Sequence, residues 1–197
     1  RFLNRGDLNT LFVELQRLGY TVVGPTIRQA AIVYDRLDSS DDLPRGWTDR
    51  QEAGHYRLER RADDRYFGYV VGPQSWKQFL FPPQATVSTA IATPDGWQLT
   101  AEDGSDAPRY AFLGVRACEL AAIAIQDRVF MQAAYADPIY SARRERALLI
   151  AVNCTEAAPT CFCHSMQTGP RCTASYDLAL TELEQGFVIE PGSQRGG

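Results

Sequence analysis

The amino-acid sequence predicts an α/β protein, mixed α+β in content, whose central mixed sheet contains a βαβ crossover and is extended by hairpins. The leading observation is a pair of apolar runs, 109–115 and 147–152, separated by two stretches of helical character, 118–131 and 137–146. Apolar runs without alternation suit strands buried on both faces, and strands joined through a helix pair in parallel. A second observation is the three-and-four spacing of Leu8, Leu11, Phe12, Leu15 and Leu18, one face of a helix over 4–18. The third is a series of short segments punctuated by Gly and Pro, the pattern of strands joined by tight turns.

Taken in order, the first helix stops at Gly19, a residue suited to the left-handed position after a helix. Residues 20–23 read as a short strand, Gly24-Pro25 as a turn and 30–34 as a second strand. Residues 38–47 read as a polar loop pinned by Leu43-Pro44 and Gly46-Trp47. Alternation over 55–61 predicts an exposed or edge strand. The aromatic-rich stretch 66–83 contains Phe67, Tyr69, Trp76, Phe79 and Phe81, read as core, with a turn and a short helix over 72–80. Residues 87–92 and 97–101 flank Thr93-Pro94-Asp95-Gly96, a type I turn sequence, and predict a hairpin. After the crossover, 176–183 and 186–190 read as two more strands joined through Glu184-Gln185-Gly186.

At 197 residues, with 45% hydrophobic and 22% charged residues, the chain is sized for one globular core. No apolar run reaches the length of a membrane span. A net charge of −4 disfavours nucleic-acid binding, which needs a concentrated basic surface. Arg143-Arg144-Glu145-Arg146 reads as a solvated helix face or a docking patch. The chain starts at Arg1 without an initiator methionine, and 193–197 reads as a disordered tail, so a fragment of a longer protein is expected.

The chemistry concentrates in five cysteines: Cys118, Cys154, Cys161, Cys163 and Cys172. An odd number, in a chain with ample apolar residues, disfavours a secreted disulfide framework and leaves metal, cluster or redox chemistry. Cys118 follows the first crossover strand and Cys154 the second. Parallel pairing of those strands brings both thiols to the rim where ligands of such sheets bind. Cys161 and Cys163, in the next loop, are placed to close over that rim and complete a four-thiolate site. The Cys161-Phe162-Cys163 spacing is too short for an easy local disulfide. It matches neither the ferredoxin runs nor the paired knuckles of structural zinc, so the spacing names no metal. His164 is an alternate ligand, Cys172 a spectator or alternate, and 165–170 a source of backbone amides for the sulfurs. His55 and His164 are the only histidines. Neither a nucleophile elbow nor a phosphate loop competes.

Several stretches together resemble a known family, the iron–sulfur beta subunits of soluble [NiFe] sulfhydrogenases and the related A subunit of anaerobic sulfite reductase. They are Gly24-Pro25-Thr26, Phe67-Gly68-Tyr69-Val70-Val71-Gly72-Pro73-Gln74-Ser75-Trp76-Lys77, Leu113-Gly114-Val115-Arg116-Ala117-Cys118-Glu119-Leu120, Asp137-Pro138-Ile139-Tyr140 with Arg143-Arg144, and Asn153-Cys154 with Cys161-Phe162-Cys163-His164-Ser165-Met166-Gln167-Thr168-Gly169-Pro170. The resemblance implies a cytoplasmic electron-transfer subunit, working between the catalytic subunits of an oxidoreductase complex and a flavin- or NAD(P)-binding subunit. It implies that 1–192 is a single N-terminal domain. The two-cluster, ferredoxin-type C-terminal segment of that family is absent from this sequence. Cys118, Cys154, Cys161 and Cys163 all fall within the family-like stretches; Cys172 lies just outside.

Two functions are carried forward. In one, the four thiolates hold an iron–sulfur cluster, of the 4Fe-4S type, in an electron-transfer module. In the other, the domain is a non-catalytic docking scaffold with structural zinc or free thiols. A thiol enzyme using Cys161 or Cys163 lacks a base and ranks last.

Overall fold

The computed structural model describes residues 1–72, 74–101, 104 and 106–197. Strand β1 (Phe2–Asn4) and a 3-10 turn lead into helix α1 (Leu8–Arg17), whose Leu8, Phe12 and Leu15 are buried. There follow β2 (Thr21–Arg28), β3 (Ala31–Arg36), β4 (Trp47–Glu52), β5 (His55–Arg60) and the one-turn helix α2 (Lys77–Leu80). A hairpin, β6 (Ser88–Thr93) and β7 (Gly96–Ala101), precedes β8 (Tyr110–Val115), α3 (Ala117–Phe130), α4 (Pro138–Arg146) and β9 (Leu148–Val152). The antiparallel pair β10 (Leu178–Glu182) and β11 (Gly186–Pro191) completes the order.

Seven strands form one mixed sheet in the order β1-β11-β10-β9-β8-β2-β3, the α/β architecture expected from the sequence. Its middle four strands, β10, β9, β8 and β2, run parallel, and the outer pairings are antiparallel. The apolar runs of β8 and β9 follow from this placement, since both faces of the sheet are covered. Ala111, Leu113, Leu148, Ile150 and Val152 face the layer containing α1, while Tyr110, Phe112, Leu149 and Ala151 face the layer containing α3 and Tyr140 of α4. Alternate side chains of one strand thus serve two cores, and every residue of both strands is buried.

Four local readings differ. Gly24-Pro25 lies inside β2 rather than in a turn: β2 continues to Arg28, where Gln29 and Ala30 make the reversal with positive φ. Proline is accommodated because β8 pairs with β2 only over Thr21–Val23, so no ladder partner waits for an N–H at Pro25 on that side. The second difference is β4, the partner of β5, whose polar residues Thr48, Asp49, Arg50, Gln51 and Glu52 hide a strand from any hydrophobic pattern. Third, α1 is preceded by a 3-10 turn over Arg5–Asp7 and is shorter than the 4–18 span. Fourth, 193–197 carries a 3-10 turn, with Ser193 Oγ donating to Asp177 Oδ1 and the Arg195 guanidinium reaching the Glu145 carbonyl. A buried carboxylate with unfilled lone pairs orders a segment that composition reads as a tail.

The β6–β7 hairpin forms as expected, with all twelve strand residues exposed. The short helix over 72–80 is α2, although Pro73 of that reading lies outside the described residues. Phe67, Tyr69 and Trp76 are core residues, as read; Phe81 is exposed and stacks on Phe130 with ring centroids 4.6 Å apart. Among the described residues, no helix is long and apolar enough to cross a membrane.

Where β8 meets β9 the register slips between Leu113 and Val115. The extra residue is Gly114, with φ +96°, and a Cβ there would sit 3.3 Å from both Phe67 Cε1 and Pro25 Cδ. A bulge next to a site re-aims the residues that follow it; here these are Val115 and Arg116. Gly114→Ala is expected to cost about 1–3 kcal/mol through backbone strain. A urea unfolding midpoint unchanged from the parent would contradict this.

Candidate metal centre

The connection from β9 to β10, residues 153–177, crosses between parallel strands without a helix. Such crossovers normally use one, and long irregular segments in compact domains are mostly functional. The segment satisfies its backbone through tight turns: Cys161 N–H donates to Ala158 O, Met166 N–H to Phe162 O, Gln167 N–H to His164 O and Thr168 N–H to Cys163 O. Its two ends are tied together where Cys154 N–H donates to Pro170 O at 3.2 Å. Gly169 packs so closely that an added Cβ would lie 3.3 Å from Cys163 Sγ.

Cys118 is the second residue of α3, just beyond β8, and Cys154 lies two residues beyond β9. Both strands point their carboxyl ends to the same rim. Cys118, Cys154, Cys161 and Cys163 all line one cavity of about 550 Å³ there. Val70, Val71, Trp76, Ile123 and Phe162 supply much of its apolar wall. The four thiols expected together from the sequence are therefore gathered at one cavity. His164 and Cys172, the two alternates, do not line it. Cys172 is buried beneath the site, its N–H donating to Asn153 Oδ1 at 2.7 Å and its Sγ lying 3.9 Å from Val152 O.

Burial pushes the Cys118 thiol up to about 11 and Cys172 up to about 12, and nearby thiols add to the rise at both. Cys154 is also raised by burial, while the Arg116 guanidinium pulls it back. Like charges of this kind oppose one another, so these thiols become thiolates together only around a positive centre. Among the described residues, no three His, Cys, Asp or Glu side chains converge tightly enough to hold a single metal ion. Tetrahedral zinc needs every sulfur about 2.3 Å from one point. What the structure gives is four thiols around one open, mostly apolar cavity.

Sequence reasoning missed the layer behind the thiols. Arg116 is 1% exposed. Its Nη2 donates to Phe67 O at 2.8 Å and Tyr69 O at 3.1 Å, its guanidinium covers the Tyr69 ring at 4.9 Å, and its Nη1 lies 3.9 Å from Cys154 Sγ. Glu119 lines the cavity, accepts from Arg116 N–H at 2.9 Å and from Tyr34 Oη at 2.5 Å, and is pushed up by burial. Tyr34 in turn stacks on Trp76, centroids 3.9 Å apart. The one signal in the sequence is a glutamate three positions after Arg116, the residue that precedes α3, which is the spacing of a capping box.

The opposite wall is fixed by the unpredicted β4. Asp49 Oδ1 accepts from Val70 N–H at 3.0 Å, and Gln51 Nε2 donates to Val71 O at 3.0 Å. Arg61 closes the rim by a clamp, bonding Glu156 of the cysteine loop at 2.6 and 2.8 Å, Asp63 at 2.6 and 2.8 Å, and Gly68 O. Hydrogen bonding to Arg61 holds Asp63 down from 3.8 to about 2 and lowers Glu156 as well. A carboxylate lowered in the folded state contributes stability fully present above its unfolded value and lost as pH falls through its folded value. The clamp is therefore expected to weaken between about pH 4 and pH 2. Both acids are largely solvated, so the effect is small. Unfolding midpoints measured across that range should show a component that disappears in Arg61→Met; equal acid dependence in both proteins would refute the clamp.

No family model matches the chain, and neither do any curated protein or solved structure.

Proposed function

We propose that this chain is an electron-transfer module, part of a subunit of a hydrogenase- or sulfite-reductase-like oxidoreductase, whose four cysteines hold a 4Fe-4S cluster. The observation that carries the reading is the meeting of Cys118, Cys154, Cys161 and Cys163 at one cavity on the carboxyl rim of two adjacent parallel strands. Those thiols come from two separate stretches of chain, the start of α3 and the 153–177 connection, which core packing alone does not require. The resemblance of the Arg116-Ala117-Cys118-Glu119 and Cys161-Phe162-Cys163-His164 stretches to iron–sulfur subunits points the same way.

Bound at these residues, a cluster supplies a one-electron relay. The chain's own contribution is to present four thiolates, exclude water with Val70, Val71, Trp76 and Ile123, and leave an outlet toward solvent at Cys161 and Phe162, both exposed. Electrons then pass to or from a docked partner, a flavin- or NAD(P)-binding subunit on one side and the catalytic subunits on the other, in the cytoplasm. Backbone amides of the loop tune the sulfurs; Ala158 N–H already reaches Cys161 Sγ at 3.3 Å.

The test is purification without oxygen, followed by iron, sulfide and zinc analysis and an absorbance spectrum. Iron and sulfide in cluster proportion, with thiolate-to-iron absorption in the visible, support the reading. Zinc in a colourless protein, or no metal after anaerobic reconstitution with iron and sulfide, replaces it with the docking scaffold.

A further inference from the structure

We infer that the Arg116 guanidinium is the counter-cation of the four-thiol site and raises the reduction potential of the cluster held there. The inference rests on the proposed function and deepens it.

Arginine keeps its charge in any protein environment, and burying that charge without a partner is costly. Arg116 is buried to 1% exposure, yet it takes part in none of the ion pairs formed among the described residues. Its Nη2 is occupied by two neutral carbonyls, and its Nε has no partner. The nearest acid, Glu119, directs its oxygens to the Arg116 backbone N–H and the Tyr34 hydroxyl rather than to the guanidinium. The remaining arm, Nη1, points at Cys154 Sγ from 3.9 Å. The groups that face the guanidinium are thus Phe67 O, Tyr69, Glu119 and Cys154, and the one that can supply a compensating anion in direct line is the thiolate.

The placement is enforced rather than incidental. Gly114 puts a bulge into β8 two residues before Arg116, whose backbone N–H is held by Glu119 and whose side chain is held by the Phe67 and Tyr69 carbonyls. A cluster bound by four thiolates carries net negative charge and gains one further negative charge on reduction. A fixed positive charge in a low-dielectric wall favours the reduced form more than the oxidised one. Arg116 lies behind Cys154 and does not line the cavity, so it acts as a positioning and tuning residue.

The experiment compares parent, Arg116→Gln and Arg116→Lys, all purified anaerobically and reconstituted with iron and sulfide. Each is assayed for iron and sulfide and then titrated with dithionite at controlled potential. The expected result is a lower reduction potential in Arg116→Gln, with Arg116→Lys closer to the parent. If Arg116→Gln assembles no cluster while Arg116→Lys does, the requirement for positive charge stands. A cluster of unchanged potential in Arg116→Gln, or loss of the cluster in both variants, overturns the inference and leaves Arg116 as a fastener for the 67–69 carbonyls. Absence of iron and sulfide from the parent removes the proposed function itself, a result separable from the other two.

Discussion

Cys154→Ser is expected to abolish cluster binding, while Cys172→Ala leaves it intact. Both thiols belong to the same crossover segment and both are raised by burial, but only Cys154 lines the cavity. Serine offers a hard, poorly acidic oxygen where a soft thiolate is needed. Loss of a group that merely orients a ligand costs about 10–100-fold in metal affinity, and loss of a ligand costs at least as much. Iron per chain after anaerobic reconstitution should fall to background in Cys154→Ser and stay at the parent level in Cys172→Ala. The loaded parent should also unfold at higher temperature than the empty chain, because a ligand that binds the native state stabilises it. Equal iron in the two variants would mean that the thiols gathered at the rim are not the ligands.

Glu182→Ala is expected to destabilise the fold by about 3–5 kcal/mol, the cost of breaking a buried charge network by removing one partner. Glu182, 3% exposed on β10, accepts from Tyr66 N–H at 2.8 Å and Phe67 N–H at 2.9 Å, and pairs with Arg5 Nη1 at 3.2 Å. Its removal leaves two buried amides without acceptors, each costing about 1–3 kcal/mol. The consequence reaches the four-thiol cavity, because the same stretch carries the Phe67 and Tyr69 carbonyls that hold Arg116. Chemical denaturation of the parent, Glu182→Gln and Glu182→Ala should rank them in that order of falling stability. A loss below about 1 kcal/mol in Glu182→Ala would show that water replaces the carboxylate and that the 66–69 stretch is held by its packing alone.

The parallel pair β8 and β9 was legible because strands buried on both faces have no polar side to show, so their apolar runs and the helical stretches between them are written directly in residue type. From that pair the rim positions of Cys118 and Cys154 follow, whereas Cys161 and Cys163 reach the same cavity only through the turns of the 153–177 connection. The β6–β7 hairpin was equally legible, since Thr93-Pro94-Asp95-Gly96 is local turn chemistry. Strand β4 was not, because its residues earn their place by hydrogen bonding to 70–71 rather than by burying apolar surface. Gly24-Pro25 misled because β2 runs on past the end of its pairing with β8 at Val23, where the missing proline N–H costs no ladder bond.

What the sequence determined by itself was the sheet's buried centre, the order of its crossover and the place of Cys118 and Cys154 at the rim. Only the tertiary structure decided that Arg116 lies buried beside Cys154, that Glu119 is shared by Tyr34 and the start of α3, and that Cys172 sits below the cavity rather than in it. Those facts depend on which residues distant in the chain meet across the sheet. Their energies come from desolvation and partner geometry, neither of which has a periodicity to read.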